Sequence, residues 1–85
     1  MTITLKLFAS LRERTGVSEE RLVLPANVLT LGALRDHLRG RDDVWSEALD
    51  AGRAVRGAIN QRMAQESDPV ADGDEVAFFP PVTGG

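Results

Sequence analysis

Asp72-Gly73-Asp74-Glu75-Val76-Ala77-Phe78-Phe79-Pro80-Pro81-Val82-Thr83-Gly84-Gly85 is the stretch from which the rest of the chain can be read. Asp72-Gly73 marks a tight turn. Glu75 to Phe79 reads as a strand, with Val76 and Phe78 on one face and Ala77 and Phe79 on the other. Pro80-Pro81 closes it, because proline has no N–H to give to a ladder. The pair also holds φ near its polyproline value and aims the last four residues away from the body. Gly84 and Gly85 carry no Cβ, so the tail fits a channel too narrow for any other residue. From Val82 to Gly85 it reaches roughly 13 Å at about 3.3 Å per residue. That is enough to carry a Gly85 carboxylate into another protein's active site. A terminus of no consequence is the competing reading, but it leaves the proline collar and the diglycine unexplained.

Working outward, Thr2 to Phe8 alternates cleanly. Ile3, Leu5 and Leu7 face a core, and Thr4, Lys6 and Phe8 face away. Ser10 to Thr15 is polar and Arg-rich, and Gly16 closes it as a turn. Glu20 to Leu24 alternates again, with Leu22 and Leu24 inward and Pro25 ending it, so the first two strands form a hairpin with a long loop. Thr30 suits a helix N-cap, with Leu29 before it placed to staple over Leu34. Leu31, Leu34 and Leu38 form the apolar stripe, and Gly40 is a natural stop. A shorter helix capped by Asp42 or Asp43 carries Val44, Trp45, Ala48 and Leu49 and stops at Gly52. Val55 to Ile59 reads as a strand containing Gly57, and Met63 to Gln65 as a short edge strand. The last strand is expected beside the first at the sheet centre. Strands packed on one main helix make a two-layer α+β domain spanning residues 1–81, with 82–85 as a protruding tail.

Composition narrows the chemistry. At 85 residues the chain supports one small domain with a modest core. No apolar run is long enough for a transmembrane helix, and no secretory signal is seen, so the expected location is cytoplasmic. Without cysteine there is no disulfide, thiolate nucleophile or iron–sulfur cluster. One histidine, His37, cannot make a His-based zinc site. A net charge of −3 argues against a nucleic-acid partner.

No self-contained active site is visible: there is no supported Ser-His-Asp set, phosphate loop or metal spacing. Asp72-Gly73-Asp74 matches only the start of a calcium loop and reads as a turn. His37 lies at the edge of the helix stripe, where a solvated or capping role is expected. Trp45 reads as a partial core residue. Phe78 and Phe79 cannot enter the same core, so Phe79, with Ala77, Phe8 and Thr4, lies on the second face of the sheet. That face is either a docking surface beside the tail or is covered by a loop. Arg12, Glu13 and Arg14 form a charged cluster in the first loop, either simply solvated or a polar rim for a partner.

The stretch from Asp72 to Gly85 resembles the C-terminal signature of molybdopterin synthase small subunits, sulfur carriers of the ubiquitin-like β-grasp fold. Leu7-Phe8-Ala9, Leu11-Arg12-Glu13 with Gly16, Leu31 to Leu38, Asn60-Gln61 and Pro69-Val70 also fit, whereas Gly40 to Arg56 matches only in outline. The resemblance implies a mixed sheet of about four to five strands on one main helix. It implies that the Gly85 carboxylate is adenylated by a ubiquitin-activating-like enzyme using ATP and magnesium, with no cofactor bound permanently. A sulfur donor protein then leaves a thiocarboxylate, which gives its sulfur to cyclic pyranopterin monophosphate in the synthase large subunit. Catalytic residues for that transfer belong to the large subunit, in a heterotetramer of two small and two large subunits. Gly84 keeps the channel passable, Thr83 and Val82 contact its wall, Pro81 and Pro80 limit the entropy lost on insertion, and Phe79, Phe8 and Arg12 form the body of the interface. A thiazole-biosynthesis sulfur carrier, a ubiquitin-like modifier and a non-catalytic β-grasp interaction module are the alternatives. No nucleic acid or membrane is expected among the partners.

Overall fold

Ile3, Leu5 and Leu7 are buried along β1 (Thr2–Leu7), with half-buried residues between them. The structure, a computed structural model, describes residues 1–81; Val82, Thr83, Gly84 and Gly85 lie outside the described residues. After β1 come α1 (Ala9–Thr15), β2 (Glu19–Val23), α2 (Leu31–Arg39), α3 (Asp43–Ala48), β3 (Arg56–Ile59), β4 (Arg62–Ala64) and β5 (Glu75–Phe79). The strands form one sheet in the order β2-β1-β5-β3-β4. As expected, the first and last strands meet at its centre, in parallel, with Leu5 beside Val76 and Leu7 beside Phe78. The mixed sheet with its helices on one side is the α+β arrangement expected from the sequence.

The core lies between the sheet and α2 and α3. Leu34 and Leu38 are fully buried, with Val76, Phe78, Ala48 and Leu49. α2 starts where the sequence places it: the Thr30 hydroxyl accepts from the Ala33 N–H at 3.2 Å. α3 is capped in the same way by Asp42, whose carboxylate accepts from the Trp45 N–H. In β3, a Cβ on Gly57 would come within 2.6 Å of a Leu31 methyl, so a larger residue there would force the Leu31 side chain to move.

Several local expectations are corrected. Residues 9–15 are helical, not a loop: Leu11 anchors them in the core, and Gly16 caps them at φ +75°. A seven-residue helix with one buried apolar residue shows no usable periodicity. Leu29 is 56% exposed instead of stapled, and Val28 takes the buried place before the cap. Gly40 ends α2 as expected, in a right-handed conformation. α3 ends at Ala48, short of Gly52, and Val44 faces solvent. The helix stripe also contains Arg35, 8% exposed, whose charge hid it from an apolar pattern. Its guanidinium donates to the carbonyls of Leu49, Asp50 and Arg53 and to Glu66, stitching α2 to the α3–β3 connection.

Candidate functional site

The chain leaves the sheet at the end of β5, between the end of β1 and the start of β3. On the β3 side Phe79 pairs with Arg56. On the β1 side the Phe8 N–H donates to the Phe78 carbonyl at 3.2 Å. Phe8 then caps α1 through its own carbonyl, which accepts from the N–H groups of Leu11 and Arg12. The reversal falls on Ala9, held at φ +52°, a conformation costly for a residue with a Cβ. The base of the tail is therefore fixed by backbone pairing on both sides, and Pro80 and Pro81, both half-buried, continue from it.

The second face of the sheet has a buried centre ringed by more exposed side chains: Ala58 is 7% and Ala77 9% exposed, against 45% for Phe8 and 63% for Met63. One row runs across all five strands as Glu19, Lys6, Ala77, Ala58 and Met63. Ala58 and Ala77 form a flush, small-residue floor, while Met63 is 63% exposed at its edge. The next row towards the tail holds Phe8, 45% exposed, the half-buried Phe79, and Arg56. Apolar side chains thus surround the tail's root, with cations beside them.

Lys6 sits over this face between Glu75 at 3.1 Å and Glu19 at 3.7 Å. Hydrogen bonding to Glu75 and the Glu75 charge hold its ammonium above the usual lysine range. The face therefore carries the paired Lys6, Glu19 and Glu75 on its β1–β2 side and the exposed Met63 at its β4 edge. Asp72 and Asp74 are spent on the turn. Asp72 accepts from the Thr2 N–H, and Asp74 from the Ala71 N–H and the Asn60 side-chain amide. Among the described residues no cluster of metal-ligating side chains is present, and no helix is long and apolar enough to cross a membrane. Trp45 is buried, with Arg41 stacked 4.5 Å from its ring centre, so it belongs to the core. His37 is half-buried on α2, away from the tail's root.

Of the interface residues read from the sequence, Phe8 and Phe79 share the tail end of the sheet. Arg12 lies exposed on α1, one turn beyond Phe8. Sequence reading missed Met63 and Arg56. The signal for Met63 was the Asn60-Gln61 pair: both residues adopt positive φ, and this two-residue turn fixes the register that sets Met63 opposite Ala58. Val82, Thr83, Gly84 and Gly85 lie outside the described residues.

The ThiS family profile matches residues 5–85. The molybdopterin synthase sulfur carrier subunit of Escherichia coli K12 is 42% identical over 83 residues, spanning 98% of this chain and 99% of that one. The putative molybdopterin converting factor subunit 1 of Pyrococcus furiosus superposes with a TM-score of 0.76 at 26% identity, covering 95% of this chain and 98% of that one. The small archaeal modifier protein 1 of H. volcanii gives 0.73 at 29% identity, with the same coverage. The chain belongs to the ThiS family, and the sulfur-carrier resemblance carried by its strands and tail is borne out.

Proposed function

We propose that this ThiS-family chain is the sulfur-carrier subunit of a molybdopterin synthase. The observation that carries the reading is the near-complete match to a carrier subunit of that name. The apolar face grouped around the root of the diglycine tail is in keeping with it. A carboxylate is a poor electrophile, so the Gly85 carboxylate first attacks the α-phosphate of ATP in an adenylating enzyme, with magnesium, and releases pyrophosphate. Sulfide displaces AMP from the acyl-adenylate directly and leaves a thiocarboxylate. A donor-protein persulfide instead forms an acyl disulfide, which a second thiol of the donor cleaves to the thiocarboxylate with formation of a donor disulfide. The tail then enters the large subunit, where that sulfur forms a carbon–sulfur bond to cyclic pyranopterin monophosphate and water restores the carboxylate. Two such deliveries complete the dithiolene.

In this scheme the described part of the chain is a handle. It supplies Phe8, Phe79, Met63 and Arg12 as a docking face and holds the base of the tail rigid, while the reacting atoms are at Gly85. The test is intact-protein mass spectrometry after incubation with the adenylating enzyme, ATP and a sulfur source. A gain equal to one oxygen exchanged for sulfur is expected, and none when Gly85 is deleted, with the melting curve unchanged. No gain with an enzyme of proven activity sinks the carrier reading. The likeness to the H. volcanii modifier favours one second reading, a ubiquitin-like modifier. There the same adenylate would be consumed by a lysine amine, and isopeptide conjugates rather than thiocarboxylate would accumulate.

A further inference from the structure

The chain has nine arginines and one lysine. Five of these ten cations are held in ion pairs: Lys6 with Glu19 and Glu75, Arg35 with Glu66, Arg39 with Asp36 and Asp50, Arg41 with Glu20, and Arg53 with Glu47. Among the described residues, Arg12, Arg14, Arg21, Arg56 and Arg62 make none. Arg56 differs from the other four in its place in the sheet, because it is the register partner of Phe79. Its neighbour Gly57 faces Leu31 and α2, so strand alternation sets Arg56 on the second face with Ala58 and Phe79. It is exposed there, at the side of the tail's root away from Phe8.

A partner that covers Phe79 must also take the Arg56 guanidinium out of water. An unpaired guanidinium strongly opposes that transfer, whereas one matched to a carboxylate through its planar fork does not. The apolar residues beside it cannot supply that match, and on this face Glu75 and Glu19 are already engaged by Lys6. The acceptor has to come from the other protein. We propose that Arg56 is a specificity-determining residue of the tail-receiving interface, paired with a carboxylate that the synthase large subunit presents beside the mouth admitting the tail. An apolar or basic surface at that point is rejected, because it would leave the guanidinium buried and unpaired.

This inference rests on the sulfur-carrier reading, and the test separates the two. Binding of the full-length chain to the purified large subunit is measured by calorimetry at low and high salt for wild type, Arg56→Ala, Arg56→Glu and Arg21→Glu. Arg21 is the control: it is an exposed arginine on the same face, opposite Thr4 in β2 and away from the tail. Arg56→Ala is expected to weaken binding about tenfold and Arg56→Glu about a hundredfold, with the second loss shrinking at high salt. Arg21→Glu should stay within about threefold of wild type, and all melting curves should coincide. Wild-type binding by Arg56→Glu, or an equal loss in Arg21→Glu, overturns the assignment. Failure of the wild-type chain to bind the large subunit sinks the synthase reading instead. The four proteins are then ranked against the adenylating enzyme, where a loss confined to the Arg56 variants supports a carboxylate partner and equal binding by all four refutes it.

Discussion

Replacing Arg35 by alanine tests whether the α3–β3 connection is held by a side chain or by its own backbone. The guanidinium makes hydrogen bonds of 2.8 Å to the Leu49 carbonyl, 2.5 Å to that of Asp50 and 3.1 Å to that of Arg53. A fourth contact, to Glu66 at 3.3 Å, reaches a carboxylate that is 71% exposed and adds little. A hydrogen bond from a charged donor contributes about 1.5–3 kcal/mol. The residue Leu49 is buried, so the loss at its carbonyl is taken in full; Asp50 and Arg53 are exposed, and water recovers much of theirs. The expected destabilisation is therefore about 3–4 kcal/mol. In a domain of this size that lowers the melting temperature by about 15–25 °C. Circular-dichroism melts supply the number, and hydrogen exchange at residues 49–53 locates it. Arg35→Lys, which keeps the charge but not the fork, should fall between wild type and alanine. An Arg35→Ala protein melting within about 5 °C of wild type would refute the argument, leaving the connection held by packing alone.

Three further perturbations separate body from interface. Phe78→Ala empties a core position and should cost about 3–5 kcal/mol in chemical denaturation, whereas Phe79→Ala should cost far less but weaken large-subunit binding more; the opposite ranking would place Phe79 in the core. Arg41 donates to Glu20 and holds its carboxylate below the usual range. That stabilisation is present above the unfolded carboxylate pKa and is lost as pH falls through the lower folded value. Melts from neutral to acid pH should therefore show Glu20→Gln with a shallower acid-side decline than wild type, and parallel curves would contradict the pairing. Ala9, at φ +52°, should accept glycine with no loss of stability, while Ala9→Val should destabilise by more than about 1 kcal/mol; equal melts would show that the turn after Phe8 is not strained.

The sheet centre was legible because β1 alternates buried and half-buried residues and β5 is bracketed by the Asp72-Gly73 turn and Pro80. Glu75–Phe79 was read with its observed bounds. α2 was legible for a different reason: the Thr30 cap and three leucines at helical spacing agree with each other. What escaped was whatever depends on a partner distant in sequence. α1 is helical because Leu11 reaches the core and Gly16 can take a left-handed cap, and neither fact leaves a repeating pattern in seven residues. Arg35 is buried because three carbonyls some 14 to 18 positions away converge on it, and no local rule places a charge in an apolar stripe.

The candidate site divides along the same line. The family was legible because its signature ends in a short linear motif, Pro-Pro-Val-Thr-Gly-Gly, that can be recognised without a fold. The docking surface was only half legible, since alternation fixes the face of each residue but not its neighbours. Phe79 could be assigned to the second face from β5 alone. Arg56 and Met63 join it only through the β3–β5 and β3–β4 registers. A one-residue slip of β3 would exchange Arg56 for Gly57 beside Phe79 and turn the guanidinium into the core. Leu31 disfavours that slip, because one of its methyls lies 2.6 Å from where a Cβ at position 57 would sit and would have to move for a larger residue. The β3–β5 register, with Gly57 under Leu31, is thus what sets Arg56 opposite Phe79 at the base of the tail.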